Sequence, residues 1–281
     1  MSARPLAETA FAYLHHLVTV PVRVAGSDAR FVLDTGIGLT LVTDAFARTI
    51  GCEPGAATFS GRRMSGQDVT VPLADGPEIA VGGYARREPA VGVLDMHGFP
   101  SALEGVDGFL SLAFFESVPF TVDYGRSLLV VETPASLDER ARSGAAVPLR
   151  LERDGPSLCA FLALALPGAG AIEVEVDMGS DKLILDERLA PEVGVRLDAP
   201  GVRRVEGRDE TGNDFTRSFA RLEGTIRLAD APHVAQQDPD VMFQRIVYDG
   251  LVGDAFLRNF VVTYDLGRPG SGQREREEGA E

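Results

Sequence analysis

Two carboxylates stand out in this 281-residue chain because they recur in one setting. Asp34 closes the apolar run Phe31-Val32-Leu33 and opens Asp34-Thr35-Gly36, while Asp177 closes Val174-Glu175-Val176 and opens Asp177-Met178-Gly179-Ser180. A carboxylate at the end of a strand and ahead of a glycine has two uses. It can cap the turn that follows, or it can join a site in which carboxylates serve as general acid and general base. Other chemistries have little to work with. Cys52 and Cys159 are too few and too far apart for a thiolate metal site or a disulfide framework, and they are expected as buried reduced thiols. His15 and His16 are expected in a strand, on opposite faces, and His97 and His233 stand alone, so no metal-ligand spacing appears. Neither a metal nor a cofactor is expected. Gly36-Ile37-Gly38 follows a strand, but Leu41 stands where a dinucleotide loop needs its third glycine. There is no Gly-x-Ser-x-Gly elbow and no phosphate-binding Gly-Lys-Ser/Thr, and Lys182 is the only lysine.

The elements that must position these carboxylates read as short strands. Leu17–Val24, Ala29–Leu33, Val69–Leu73 and Phe120–Tyr124 alternate and are bounded by Gly, Pro or Asp, which predicts a mainly-β protein. Thr43 or Asp44 can cap a helix over Ala45–Ile50 that stops at Gly51; Asp186 can cap one over Glu187–Val193 that stops at Gly194, kept short by Pro191. These signals repeat. Thr43 and Asp186, Ala47 and Ala190, Ile50 and Val193, and Gly51 and Gly194 are each 143 residues apart, the offset that also relates the two Asp-x-Gly segments. Ser65-Gly66-Gln67-Asp68 matches Thr211-Gly212-Asn213-Asp214 at 146, and Asp107-Gly108 matches Asp249-Gly250 at 142. A single Asp-Thr-Gly arises by chance in about one chain of this length in twenty. An Asp-x-Gly repeated in a strand, turn, capped helix and hairpin context means more.

With those residues in view, the chain resembles the aspartic peptidases of the retropepsin-like fold, duplicated within one chain as in the bilobal pepsin-like enzymes. The resemblance is carried by Asp34-Thr35-Gly36 with Asp107-Gly108-Phe109-Leu110-Ser111, and by Asp177-Met178-Gly179-Ser180 with Asp249-Gly250-Leu251-Val252-Gly253. It implies two similar acid-protease-type β-barrel lobes with short helices and a cleft between them: residues 10–135, a linker at 136–145, and residues 146–267, followed by a disordered tail at 268–281. It also implies a catalytic pair, Asp34 and Asp177, supported by Thr35, Gly36, Gly179, Ser180 and Gly253. Flaps are implied at Arg62–Thr70 and Arg208–Thr216, with tips at Ser65-Gly66 and Thr211-Gly212. Two carboxylates about 3 Å apart cannot both ionise, so they share a proton and divide the acid and base roles around one water. Three positions depart from the family pattern. Met178 cannot supply the bracing hydroxyl that Thr35 can, Ile37 has no polar atom where Ser180 could bond the carboxylate, and Ser111 replaces the glycine kept at Gly253.

The function implied is an aspartic endopeptidase acting on a peptide or protein substrate, and the alternative is a catalytically silent peptide-binding or scaffold protein of the same fold. The charge argues against polyanions: 42 acidic and 27 basic residues leave a formal net charge of −15, unsuited to a phosphate backbone. Apolar runs such as Leu158–Leu166 fall far short of the ~20 residues of a spanning helix, so no membrane association is expected. Met1–Ala10 lacks the apolar core of a secretory leader, so the expected location is cytoplasmic and the expected state a monomer.

Overall fold

The computed structural model describes residues 3–97, 99, 101–208 and 213–267, together with the backbone of 272–275. The protein is mainly β, built on two large mixed sheets and one smaller sheet between them. In the first large sheet the strand order is Thr58–Arg62, Asp68–Asp75, Ala90–Leu94, Leu41–Thr43, Gly108–Leu110, Ser27–Leu33, Leu17–Val24, Glu78–Val81 and Tyr84–Arg87, with Ala12–Leu14 also on Leu17–Val24. The second repeats that order. Arg203–Arg208, Asp214–Arg221, Asp240–Gln244, Leu183–Asp186, Gly250–Val252, Gly170–Val176 and Ser157–Leu166 follow one another, and Ser157–Leu166 also takes Arg150–Asp154 and the pair Thr225–Leu228 with Ala235–Gln237.

The directions match as well. Gly108–Leu110 runs parallel to Ser27–Leu33 and antiparallel to Leu41–Thr43, and Gly250–Val252 does the same between Gly170–Val176 and Leu183–Asp186. This strand-for-strand agreement fits an internal duplication. Neither sheet closes into the barrel the resemblance implied, because the strands at its two ends are not partners of each other.

The smaller sheet joins the halves in the order Ala7–Ala10, Leu128–Val131, Phe120–Asp123, Val261–Tyr264. Its register pairs Thr121 with Thr263, whose hydroxyls are 2.8 Å apart, and pairs Phe120 with Tyr264 and Val122 with Val262. The 142-residue separation of Thr121 and Thr263 is the offset that also relates Asp107 to Asp249, so exchanging the halves maps this pairing onto itself, as a pseudo-twofold relation would require. Across this seam Tyr264 stacks on Phe120 with centroids 4.6 Å apart, and Phe120 stacks on Phe115 at 4.1 Å. One core runs through both halves, from Phe31, Leu33 and Leu110 to Val174, Val176 and Val252.

The first helix forms as its caps predict. Thr43 accepts from the Phe46 amide at 3.2 Å, the helix covers Asp44–Thr49, and Gly51 leaves it at φ +67°. Its counterpart is only a 3₁₀ turn, Glu187–Leu189 after Asp186, because Pro191 has no amide to continue the ladder. The linker contains a helix, Pro134–Ala141, held by a Thr133–Ser136 capping box and by buried Glu132, which receives Ser136, Arg140 and Thr121. Of the tail expected to be disordered, Gly272–Glu275 forms a strand parallel to Arg150–Asp154, on an edge that would otherwise present an open ladder; residues 268–271 and 276–281 lie outside the described residues. No helix among the described residues is long and apolar enough to cross a membrane.

Candidate active site

Each Asp-x-Gly loop leaves the end of a central strand and is tied to the strand beside it. The Asp34 amide donates to the Leu110 carbonyl, and the Asp177 amide to the Val252 carbonyl, both at 3.0 Å. Each chain then turns so that its glycine faces the other aspartate. A Cβ added at Gly36 would lie 2.5 Å from Cγ and Oδ1 of Asp177, and one added at Gly179 would lie 2.4 Å from Oδ2 of Asp34. No residue with a side chain fits in either place. The fold thus brings together two carboxyls that are 143 positions apart in sequence, and a side-chain hydrogen bond links them.

The two carboxyls are not equivalent. Asp34 Oδ1 accepts from the amides of Gly36 at 2.9 Å and Ile37 at 3.1 Å, whereas Asp177 Oδ1 accepts only from Gly179 at 2.8 Å. The Ser180 amide turns to the Asp177 carbonyl instead. Burial raises both above the usual carboxylate range. For Asp34 the Gly36 and Ile37 amides, the bond to Asp177 and the charge of His16 oppose that rise. For Asp177, held well above the range, the charges of Asp34 and Glu175 add to burial and the Gly179 amide alone opposes it. The shared proton therefore favours Asp177, although the titration belongs to the pair.

Thr35 is completely buried and joins the two halves: its Oγ1 donates to the Val176 carbonyl at 2.7 Å and accepts from the Met178 amide at 3.0 Å. Met178, also buried, contributes its backbone N–H to this brace and packs its side chain into the core. The Tyr264 hydroxyl lies beside Thr35, buried and without a well-formed hydrogen bond. Ser180 does not bond the carboxylate as expected. Its hydroxyl donates to the Lys182 carbonyl at 3.4 Å, because the loop turns it away from Asp177. Gly253 is needed beneath that loop, since a Cβ there would sit 2.5 Å from the Ser180 carbonyl oxygen. Ser111, its counterpart, is accommodated by Thr40, whose Oγ1 lies 3.1 Å from its hydroxyl and accepts its amide at 3.3 Å.

The hairpin expected as the first flap is Thr58–Arg62 with Asp68–Asp75, pinned near its tip by Arg62–Asp68 at 3.0 Å. It carries Ser65 and Gly66, the latter at φ +84°. Its tip reaches the second half: the Val247 amide donates to the Met64 carbonyl at 2.8 Å, and Met64 packs on the cluster of Ile184, Met242, Ile246 and Leu251. The second hairpin, Arg203–Arg208 with Asp214–Arg221, repeats the pin as Arg208–Asp214 at 2.8 Å. Its expected tip residues, Thr211 and Gly212, lie outside the described residues.

His16, Glu175 and Cys159 were not expected beside the pair. His16 stands with His15 in a turn between strands, not within one, because His15 adopts φ +58°; its Nε2 lies 3.2 Å from the Gly179 carbonyl. Glu175 is buried two residues before Asp177, hydrogen-bonded to Cys159. Both cysteines are free and partly exposed, not fully buried as expected. The available signal for Glu175 was a charged residue in a buried strand where the first repeat has Val32. Among the described residues no group of three or more His, Cys, Asp or Glu is placed to hold a metal.

Comparison with known proteins matches residues 20–114 to a family model described as aspartyl protease; among curated proteins none matches. That stretch contains Asp34, the first hairpin and the strand Gly108–Leu110 that supports the loop. Residues 20–114 thus match a family model described as aspartyl protease, and the chain continues into a half of the same strand order.

Proposed function

We propose that the protein is an aspartic endopeptidase whose catalytic pair is Asp34 and Asp177, one from each of two duplicated lobes, residues 10–135 and 146–267. The observation that carries this reading is the reciprocal approach of each loop glycine to the opposite carboxyl, which makes one site from two halves. In this reading an extended peptide lies between the flap and the pair. Asp34, with two amide donors, is the ionised partner and takes a proton from the attacking water; Asp177 holds the shared proton and donates to the carbonyl oxygen as it becomes tetrahedral. Collapse of that intermediate breaks the C–N bond, with a proton delivered to the leaving amine.

Incubation with a diverse peptide library from pH 3 to 8, read by mass spectrometry, tests the activity. New termini that appear with the wild type support the reading. If no peptide is cut at any pH while peptides still bind, the protein is the silent binding form of this fold. Met178 bears on that choice because it leaves the brace one hydroxyl short. Met178→Thr is expected to raise turnover, the added hydrogen bond contributing about 1 kcal/mol to the geometry of the pair. It also removes buried apolar surface, so the melting temperature is expected to fall while kcat rises. A kcat at or below wild type would show that the missing hydroxyl does not limit the site.

A further inference from the structure

The surroundings of the two aspartates differ in charge at the residue two positions earlier in each strand. In the first half this is Val32, which packs with Leu39, Leu41, Val106 and Phe109, with Leu14, Leu17 and Ile37 against them. In the second half it is Glu175. Residues i and i+2 of a strand share a face, so Glu175 lies on the side of Asp177, while Val174 and Val176 enter the core. The neighbouring strands complete its surroundings. Phe161 pairs directly across from Glu175, Arg150 pairs across from Phe161, and Glu152 pairs with Cys159 in the next row towards Asp177.

The cation in the row of Glu175 and Phe161, Arg150, is committed elsewhere. The Arg150 guanidinium lies over the Phe161 ring at 4.1 Å, binds Glu173 through two bonds of 2.7 Å and binds Glu152 at 2.9 Å. Glu175 is left with the Cys159 thiol as its hydrogen-bond partner and with Asp34, Asp177 and Glu152 as charged neighbours. His16, at the Gly179 carbonyl, is on the Asp34 side of the pair.

We propose that Glu175 is a positioning residue for the Asp34–Asp177 pair: a third carboxyl beside Asp177, held by Cys159, that keeps the pair at a single negative charge as the pH rises. This rests on the catalytic reading of the pair and extends it. Burial, with the charges of Asp34 and Glu152, pushes Glu175 up to about 8 against the Cys159 bond, so it is neutral in acid and gains charge towards alkaline pH. Once ionised, it opposes loss of the remaining proton on Asp177. The effect has a direction: Glu175 is uncharged in acid, where the pair takes up its second proton, and adds negative charge beside the pair as the pH rises.

The test is the pH profile of kcat/KM on a cleaved library peptide for wild type, Glu175→Gln and Glu175→Val, the last carrying the residue that the first half has. The alkaline limb is expected to move to lower pH by about half a unit or more in both variants, with the acid limb in place. An unmoved alkaline limb, or a uniform loss at all pH values, overturns the proposal. Equilibrium unfolding against pH supplies a readout without substrate. A group raised on folding contributes stability that is complete below its unfolded pKa and is lost as pH rises towards its folded one, here from about 4.3 to about 8. Across that window each pH unit is up to tenfold in the wild-type unfolding equilibrium, and Glu175→Gln is expected to flatten the slope, non-additively with Asp177→Asn. If no peptide is cut, the peptidase reading fails and the unfolding series decides the inference by itself. An unchanged slope, or strict additivity with Asp177→Asn, overturns it.

Discussion

Asp34→Asn and Asp177→Asn are each expected to cut peptide cleavage by about 10²–10⁴-fold, the range that general acid–base groups contribute, without loosening the fold. An amide can neither take a proton from water nor give one to the developing oxyanion, and one remaining carboxyl cannot do both. The effect should fall on kcat and kcat/KM together, because the missing interaction belongs to the transition state. Stability should move the other way. Burial raises both carboxyls in the folded chain, so their contribution is complete below the ordinary Asp range near pH 4 and is lost as pH rises towards their folded values. Above the ordinary Asp range the folded state holds on to a proton that the unfolded chain releases. Asp177→Asn removes that penalty and leaves a neutral side chain whose NH₂ can donate to Asp34. The variant is expected to unfold at the same temperature as wild type or higher at pH 7, with a weaker dependence on pH. Calorimetry from pH 4 to 8 beside the cleavage assay checks both. A variant that keeps more than a tenth of wild-type turnover would remove the residue from the catalytic pair.

Thr35→Val should be the most damaging near-isosteric change in the protein. Its methyl replaces a hydroxyl that serves both halves at once, so the Val176 carbonyl and the Met178 amide both lose their partner in a region without exposure. Leaving a buried polar group unsatisfied costs about 1–3 kcal/mol, so two give roughly 2–6 kcal/mol, a large share of a typical domain's stability. No reciprocal bond takes the load, since Met178 has no hydroxyl. The measurement is the denaturant midpoint together with peptide turnover. Thr35→Ser, which keeps the hydroxyl, should recover most of both. A Thr35→Val protein within about 0.5 kcal/mol of wild type would show that the halves are held by their core and the shared sheet alone.

That shared sheet shows how the readable and unreadable parts of the chain divide. The repeated Asp-x-Gly segments, the Thr43 cap, the Gly51 stop and the Ser65-Gly66 turn could be read because each rests on local backbone chemistry: alternation, a side-chain acceptor for a free amide, a glycine where φ is positive. Asp186 shows the limit of such rules. It caps as expected, but Pro191 leaves a 3₁₀ turn and no α-helix.

By itself the sequence determined that the chain is mainly β, that its halves share one pattern, and that Asp34 and Asp177 occupy matching turns. Tertiary structure decided which groups those turns meet. Ser180 and Ile37 occupy equivalent loop positions, yet the Ile37 amide bonds its carboxylate while the Ser180 amide and hydroxyl both go to carbonyls. Met64 of the first hairpin rests on Ile246 of the second half, and Glu175 lies against Cys159 in place of solvent. The reason is the range of the interactions. A cap or turn depends on residues within a few positions, whereas the proton balance of a buried carboxyl depends on every charge and donor within several ångströms. At this site those groups come from strands in both halves, and strand register and the packing of one lobe against the other bring them together.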